Sequence, residues 1–339
     1  MENTIHIGLL GCSKIAPFSI LNPVKEIVGV DVCGIASSSF ERAKKYADQH
    51  KIKKVYESYD AILKDEHVDV VYIPLANPQH KEWTIQALKH KKHVLVEKPI
   101  TLYAEEVKEI EKTASENHVH VLEALMVQHH PWQKELKDII GSQKYGKLKK
   151  IKTRISFEIM GGKFEADNYR FQPENGGGCF IDESSYWLQF IQYMVGLHPS
   201  DYKGSSKFDG VNGCDWNFDA FLTYADGVQA EFNASFDRAS NATHWLEFEN
   251  GEIKIHNFFK PCYGKYKIKF NIQDHQTGEH SIMEFLPENY YVNQMKFFVD
   301  VIQGKAENIS LKESFERIDM MRKIYHSVKE TLNLEVGTK

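Results

Sequence analysis

Two short motifs carry side chains suited to moving a proton at a carbinol oxygen. Lys98 stands in Glu97-Lys98-Pro99, and Tyr186 closes Gly176-Gly177-Gly178-Cys179-Phe180-Ile181-Asp182-Glu183-Ser184-Ser185-Tyr186. Hydride transfer to or from such a carbon requires a proton to move at its oxygen. A tyrosine hydroxyl can carry it, although a free phenol pKa of ~10 is high for neutral pH. A nearby ammonium favours the phenolate and polarises a carbonyl. The proline after Lys98 keeps that residue out of a helix and fixes its direction. The three glycines permit a tight path into a helix. On that helix Asp182 and Tyr186 lie one turn apart and share a face. The chain has 16 tyrosines, so spacing alone does not pair Lys98 with Tyr186.

A second pattern points to a dinucleotide. Gly8-Leu9-Leu10-Gly11-Cys12-Ser13-Lys14-Ile15-Ala16 sits between an apolar run and a candidate helix. A pyrophosphate site needs a tight turn there, with backbone N–H groups and a helix start facing the negative charge. The usual G-x-G-x-x-G/A is here Gly11-x-Ser13-x-x-Ala16. Ser13 could donate to a phosphate while narrowing its approach. A plain strand-to-helix turn is the alternative. Asp31 lies ~20 residues past the turn, the distance of an NAD-type ribose carboxylate, but at the start of its strand rather than the end. The strand end instead offers Ser37, Ser38 and Arg42, groups suited to a 2′-phosphate. NADP is therefore expected ahead of NAD. The alternative is that Ser37 or Ser39 only caps a helix and Arg42 is a solvated surface residue.

The elements that must position these groups follow from periodicity. Strands are predicted at Ile5 to Leu10, Ile27 to Ala36, Val68 to Ile73, His93 to Val96 and Val119 to Leu122. Helices are predicted from Ser13 to about Val24 and at Ser39 to His50, Pro78 to His90 and Ala104 to Asn117. Such alternation implies a doubly wound parallel sheet, whose ligands bind beyond the carboxyl ends of the strands. Both the glycine turn and Lys98 fall at such ends. The second half differs. Gly146 to Phe157, Phe218 to Phe236, Trp245 to Asn257 and Tyr266 to Ile272 read as strands of a mostly antiparallel sheet. Ile181 to Met194 and Leu311 to Leu332 read as helices. The expected division is residues 1–125 for the nucleotide-binding domain and 126–339 for a substrate-binding α/β domain.

Composition narrows the function classes. The chain has 339 residues, 42% hydrophobic and 26% charged, enough for two cores. Its net charge of −5 argues against nucleic acid or an anionic membrane surface as partner. No apolar run approaches the ~20 residues of a membrane helix, and Met1-Glu2-Asn3-Thr4 opens nothing like a signal peptide. The five cysteines, Cys12, Cys33, Cys179, Cys214 and Cys262, are scattered, which fits reduced thiols in a cytoplasm and no metal site.

The motifs taken in order resemble one family. Gly8 to Ala16, Tyr72-Ile-Pro-Leu-Ala-Asn-Pro-Gln-His80, Val94-Leu-Val-Glu-Lys-Pro99, the triple glycine with Asp182 and Tyr186, and Leu246 to Pro261 together look like the glucose–fructose oxidoreductase / inositol dehydrogenase / MocA family. The resemblance implies an N-terminal Rossmann domain and a C-terminal domain with an open, mostly antiparallel sheet that often forms a dimer interface. It implies cofactor contacts from Gly8, Gly11, Cys12, Ser13, Lys14, Ile15, Ser37, Ser38, Arg42, Leu75, Asn77, His80, Glu97 and Lys98. It implies a lysine, here Lys98, near nicotinamide and substrate, often before a cis proline. It implies that Tyr186 gives or takes the proton. Tyrosine there, rather than histidine, points away from inositol and toward branches resembling xylose or dihydrodiol dehydrogenases and sugar-nucleotide ketoreductases. The implied reaction is NADP- or NAD-dependent oxidoreduction of a sugar or related polyhydroxylated compound. Two departures stand out. Ser13 replaces a glycine, and Glu183-Ser184-Ser185 replaces a smaller stretch.

Other candidates have rival roles. Asn77 could cap the helix beginning at Pro78, and His80 could pack in its first turn. One imidazole of His129-His130 could reach substrate, against packing at a domain junction. Arg170 could bind a substrate hydroxyl or phosphate, against a surface ion pair. Asp182 could orient Tyr186 or Lys98, against capping its helix. The aromatics from Trp187 to Tyr193 and at Phe258-Phe259 read as core or subunit interface.

Overall fold

Short apolar strands that each hand over to a helix can pair in parallel, because parallel neighbours need a crossover. That is what the first region does. The computed structural model describes residues 4–158 and 168–334, so the reading of Met1 to Asn3 falls outside it. Strands β1 (Ile5–Leu10), β2 (Val30–Ala36), β3 (Lys54–Val55), β4 (Val70–Ile73), β5 (His93–Glu97) and β6 (Val121–Ala124) form one sheet in the order β3-β2-β1-β4-β5-β6. Every pairing in it is parallel. The order reverses between β1 and β4, which makes the crevice beyond their carboxyl ends the place for a ligand. Helices α1 (Phe40–His50), α2 (Tyr59–Lys64), α3 (Asn77–Lys89) and α4 (Ala104–Asn117) supply crossovers. Ser39 caps α1, its hydroxyl accepting from Arg42 N at 3.3 Å.

One expected helix is absent. Between Ser13 and Val24 the chain makes a single wide turn, Pro17–Leu21, and then a 3₁₀ turn, Pro23–Glu26. Pro23 has no N–H to continue an α-helix, and its ring would clash with the preceding turn. Asn22 N instead reaches back to Pro17 O at 3.1 Å.

The second region holds α5 (Pro131–Ser142), α6 (Cys179–Val195) and the strands β7 (Leu148–Ser156), β8 (Asp201–Ser206), β9 (Asn217–Thr223), β10 (Gln229–Ser235), β11 (Asn241–Phe248), β12 (Gly251–His256), β13 (Ile268–Asp274) and β14 (His280–Phe285). Their order is β14-β13-β12-β11-β7-β10-β9-β8, antiparallel except for β10 beside β7. Along β11 buried residues alternate with partly exposed ones, so one face carries the core and the other is polar. The two edge strands β8 and β14 escaped the sequence reading. Their side chains are mostly exposed, so they lack the apolar alternation that marks an inner strand.

The chain then adds α7 (Tyr290–Ile302) and α8 (Leu311–Thr331). Two compact units result. One holds the residues up to His129 with Asn289–Phe315, the other His130–Glu288 with the residues from Glu316. This differs from one boundary at 125/126, because the chain returns to the first unit after the second sheet. The reason is apolar. Met295, Phe298 and Val301 of α7 are buried in the same cluster as Ile7, Leu9 and Ile35. No described helix is long and apolar enough to cross a membrane.

Candidate active site

The glycine turn closes directly on β1. Gly11 adopts φ +95°, a backbone that suits glycine, and a side chain there would run into Leu75. Gly11 N donates to Ala36 O at 2.7 Å, tying the turn to the end of β2. The Tyr46 hydroxyl donates to Ser13 O at 2.8 Å, and the Cys12 thiol to Arg42 O at 3.6 Å. Ser13 Oγ accepts from Ile15 N at 3.3 Å, so the serine replacing glycine steadies its own turn. Lys14 and Ile15 are exposed beside it. Gly8 lies further back, inside β1, where a side chain would meet Ile62 and Val68. Its absence of a side chain serves packing in the sheet. The turn is not followed by a long helix, so the expected helix-terminus contribution to a pyrophosphate site is missing here.

At the end of β2, Ser37 is buried and its hydroxyl has no hydrogen-bond partner among the described residues. Ser38 and Arg42 are exposed next to it. Ser39, not Ser37, is the helix cap. Asp31 is at the far end of the strand, 2.6 Å from His6 Nδ1, which removes it as a ribose ligand of this crevice. A dinucleotide fits this edge. The glycine admits close backbone approach, and the Ser37 hydroxyl and the exposed Arg42 are groups suited to a ribose with a phosphate.

Lys98 follows β5 and precedes Pro99 through a cis peptide bond, as the resemblance implied. The segment is pinned from both sides. Pro99 O lies 2.8 Å from His80 Nδ1, and the other ring nitrogen lies 2.9 Å from Leu75 O in the loop facing Gly11. Burial pulls the His80 pKa down, while the two carbonyls pull it up because only the doubly protonated ring donates to both. Ile100 N donates to Glu123 Oε1 at 3.0 Å, and the Ser314 hydroxyl donates to Glu123 Oε2 at 2.7 Å. Glu97 accepts from the buried Tyr72 phenol, which lies 2.6 Å from Ser19 Oγ. His80 therefore joins the Lys98 segment to the cofactor loop. Asn77 does not cap α3. It is the first helical residue, buried, with Ala76 at the cap position.

Tyr186 is half-buried on α6, with its ring edge-on to Phe259 at 4.8 Å. Asp182 sits in the first turn of α6 and accepts from Arg170 Nε at 2.9 Å. Asp182 is buried while the Arg170 side chain is 37% exposed, so the pair is half-buried. The carboxylate raises the Arg170 pKa further. The Arg170 guanidinium also lies 4.8 Å from the Tyr169 ring centre. The structure thus brings Arg170 to Asp182 and Phe259 to Tyr186. Phe259 was expected to be core or interface, and nothing in its spacing signalled a tyrosine neighbour. The histidine pair is structural. His129 is buried against Phe297 at 4.9 Å, and His130 caps α5 by accepting from Trp132 N at 3.3 Å. Cys179 is buried beside the Asp215 carboxylate, and burial raises its thiol pKa well above the ordinary value, which disfavours a thiolate nucleophile.

Residues 5–125 match the family model described as the oxidoreductase family with an NAD-binding Rossmann fold, and residues 133–254 match the GFO/IDH/MocA C-terminal domain. The chain is 25% identical to D-xylose 1-dehydrogenase (NADP(+)) 2 of Haloferax volcanii, over 97% of this chain and 99% of that one. It is 27% identical to a trans-1,2-dihydrobenzene-1,2-diol dehydrogenase of Xenopus tropicalis, over 67% and 68% of the two chains. Among solved structures it resembles a 3-ketoreductase from Actinomadura kijaniata in complex with NADP and TDP-benzene, with a TM-score of 0.85 at 22% identity, covering 96% of this chain and 98% of that one. An aldose-aldose oxidoreductase from Caulobacter crescentus gives 0.84 at 18% identity, over 97% and 98%. Two matched domain models in the right order, spanning most of the chain, make it a member of the Gfo/Idh/MocA family of NAD(P)-dependent oxidoreductases.

Proposed function

We propose that this chain is an NADP-dependent oxidoreductase acting on a sugar or a related polyhydroxylated alcohol or ketone. The observation that carries this reading is the pinning of Lys98, whose segment is held by His80 and Glu123 at the carboxyl end of a doubly wound sheet. A binding protein has no need for a lysine whose backbone is held so firmly at this place. When bound, the nicotinamide cofactor supplies or accepts the hydride. Lys98 orients the substrate oxygen and polarises it. Tyr186 gives or takes the proton there. Asp182 and Arg170 bind and orient substrate hydroxyls. Ser37, Ser38 and Arg42 receive the 2′-phosphate, which favours NADP, and the turn from Gly11 to Ile15 receives the pyrophosphate.

The enzyme is placed in a reducing cytoplasm, which its five free thiols support. It assembles as a homodimer or higher homo-oligomer through the polar face of the eight-stranded sheet. There the Trp245 ring lies between the ammonium groups of Lys152 and Lys254, each 4.3 Å away. A second substrate class, a sugar nucleotide, is favoured by one observation. Lys260, Lys265, Lys267 and Lys269 line a cavity of about 380 Å³ with Tyr266, on the loop that also brings Phe259 to Tyr186. Glu284 pairs with Lys267 and Lys269.

The test is reduced-cofactor absorbance with aldoses, keto-sugars and sugar nucleotides, for the wild type, Tyr186→Phe and Lys98→Met. Each variant is expected to lose about a hundredfold or more in turnover, while Tyr186→Phe leaves cofactor affinity unchanged. Near-normal turnover of Tyr186→Phe removes that residue from the mechanism. Tight cofactor binding with no turnover on any substrate makes the protein a nucleotide-binding regulator instead.

A further inference from the structure

Tyr186 takes its position from α6, and α6 begins without a cap of its own. Its N-cap residue is Gly178 at φ +110°, which has no side chain to accept from the first-turn N–H groups. The acceptor comes from a distant loop. Asp215 Oδ2 accepts from Phe180 N at 2.7 Å and from the Cys179 thiol at 3.3 Å, and Asp215 O accepts from Cys179 N at 2.9 Å. The other carboxyl oxygen, Oδ1, is buried with no partner among the described residues and fills the space that a side chain on residue 178 would need. Glycine at 178 and a carboxylate at 215 therefore form one device, and its product is the start of the helix that carries Asp182 and Tyr186.

We propose that Asp215 is a positioning residue for Tyr186, capping α6 from outside, and that its proton state sets how firmly the helix start is held. This rests on Tyr186 as the proton carrier. Burial pushes the Asp215 carboxyl up to about 7, against the pull of Phe180 N–H, the Cys179 thiol and Lys329. The neighbours that set its field come from several elements. Cys179 and Glu183 lie on α6, Cys214 is adjacent in the loop with Glu174 near it, and Tyr325, Arg322 and Lys329 come from α8. Among the described residues the Tyr325 hydroxyl is, like Oδ1, buried without a partner. The anion accepts more strongly from the helix-start N–H groups, but burying it costs more than they return, so the capped start is held more firmly with the neutral acid. Turnover therefore falls as pH rises through an inflection near 7 that belongs to neither substrate nor cofactor.

The experiment is the pH profile of kcat and of KM for the full chain, with Asp215→Asn, Asp215→Ala and Tyr186→Phe, and NADPH affinity followed by fluorescence. Asp215→Ala is expected to lower kcat about tenfold, the effect of losing one cap, with NADPH affinity unchanged. Asp215→Asn keeps an acceptor for Phe180 N–H but cannot ionise. It is expected to stay within about threefold of wild-type kcat and to lose the inflection. Wild-type turnover by a folded Asp215→Ala, or an inflection surviving in Asp215→Asn, overturns the proposal. If Asp215→Ala does not fold, the Asp215→Asn profile decides. Slow Tyr186→Phe beside an unaffected Asp215→Ala removes the positioning role alone, whereas normal turnover by Tyr186→Phe removes the mechanism beneath it.

Discussion

Lys98 and Tyr186 are held by two different kinds of scaffold. Lys98 stands on a strand end, and its neighbours are fixed through their backbone by buried polar groups of the same sheet layer, His80 after β4 and Glu123 on β6. Tyr186 stands on a helix whose start depends on one carboxylate from a loop between β8 and β9. In the first region one pin sits on the neighbouring strand β6 and the other in the first turn of α3 after β4, where the topology brings them together. In the second, the support comes from a contact that only three-dimensional packing creates. A parallel sheet therefore makes a site at a foreseeable place, whereas an antiparallel sheet with a covering helix must build one from tertiary contacts.

The sharpest way to break this comparison is Glu123→Gln. It sets an amide where one carboxylate accepts from both Ile100 N and the Ser314 hydroxyl, and is expected to cost about 1–3 kcal/mol of stability. Hydrogen exchange should speed up at residues 98–101 and stay unchanged along α6. Faster exchange in α6 as well would mean that the two scaffolds are not independent.

Arg42→Ala tests the first region alone. Loss of one charge-assisted phosphate contact is expected to weaken NADPH binding about tenfold, with NADH binding changed less than about twofold. An equal loss for both cofactors, measured by fluorescence titration, would take the 2′-phosphate role from Arg42.

A smaller effect separates the regions by pH. Burial lowers the pKa of His80, His93 and His129 in the first unit, and of His130, His244 and His326 in the second. Their stabilising contribution is complete above the unfolded value near 6.5 and is lost as pH falls toward the folded values, about 3 for His129 and His244. The slope is at most about 1.4 kcal/mol per pH unit for each group. Asp215 runs the other way. Its raised pKa contributes stability that is complete below about 4 and lost as pH rises through about 7. Between pH 7 and 5 the first unit should therefore weaken more than the second, as read by hydrogen exchange in α7 against β11. Equal weakening would show that Asp215 offsets nothing.

Much of the first region was legible before any coordinates. Ala104 to Asn117 forms the helix its pattern implies, and β1 runs over the six residues expected. Both are local patterns of apolar side chains at a fixed period. The turn after β1 was misread where two prolines break the helical run, because a wide turn closing on Pro17 has no periodic mark. Ser39 was legible as a cap because a cap needs only its own N–H three residues on. His80 was left between pocket and packing. The structure gives it a task that neither choice described, because both of its partners are backbone carbonyls without a side-chain signature.

By itself the sequence determined the family, the doubly wound layer and the motifs on which the proposed chemistry rests. Glycine before a phosphate-type turn, lysine before proline and tyrosine one turn after aspartate are local facts that survive any packing. Only the tertiary structure decided what holds them. Asp215 reaches the start of α6 across 35 residues, Phe259 meets Tyr186 across a longer stretch, and α7 returns to the first core after the whole second sheet. Such contacts carry no periodicity. They arise because burial leaves helix starts and backbone groups that must be satisfied, and whichever distant residue the fold brings near supplies the partner.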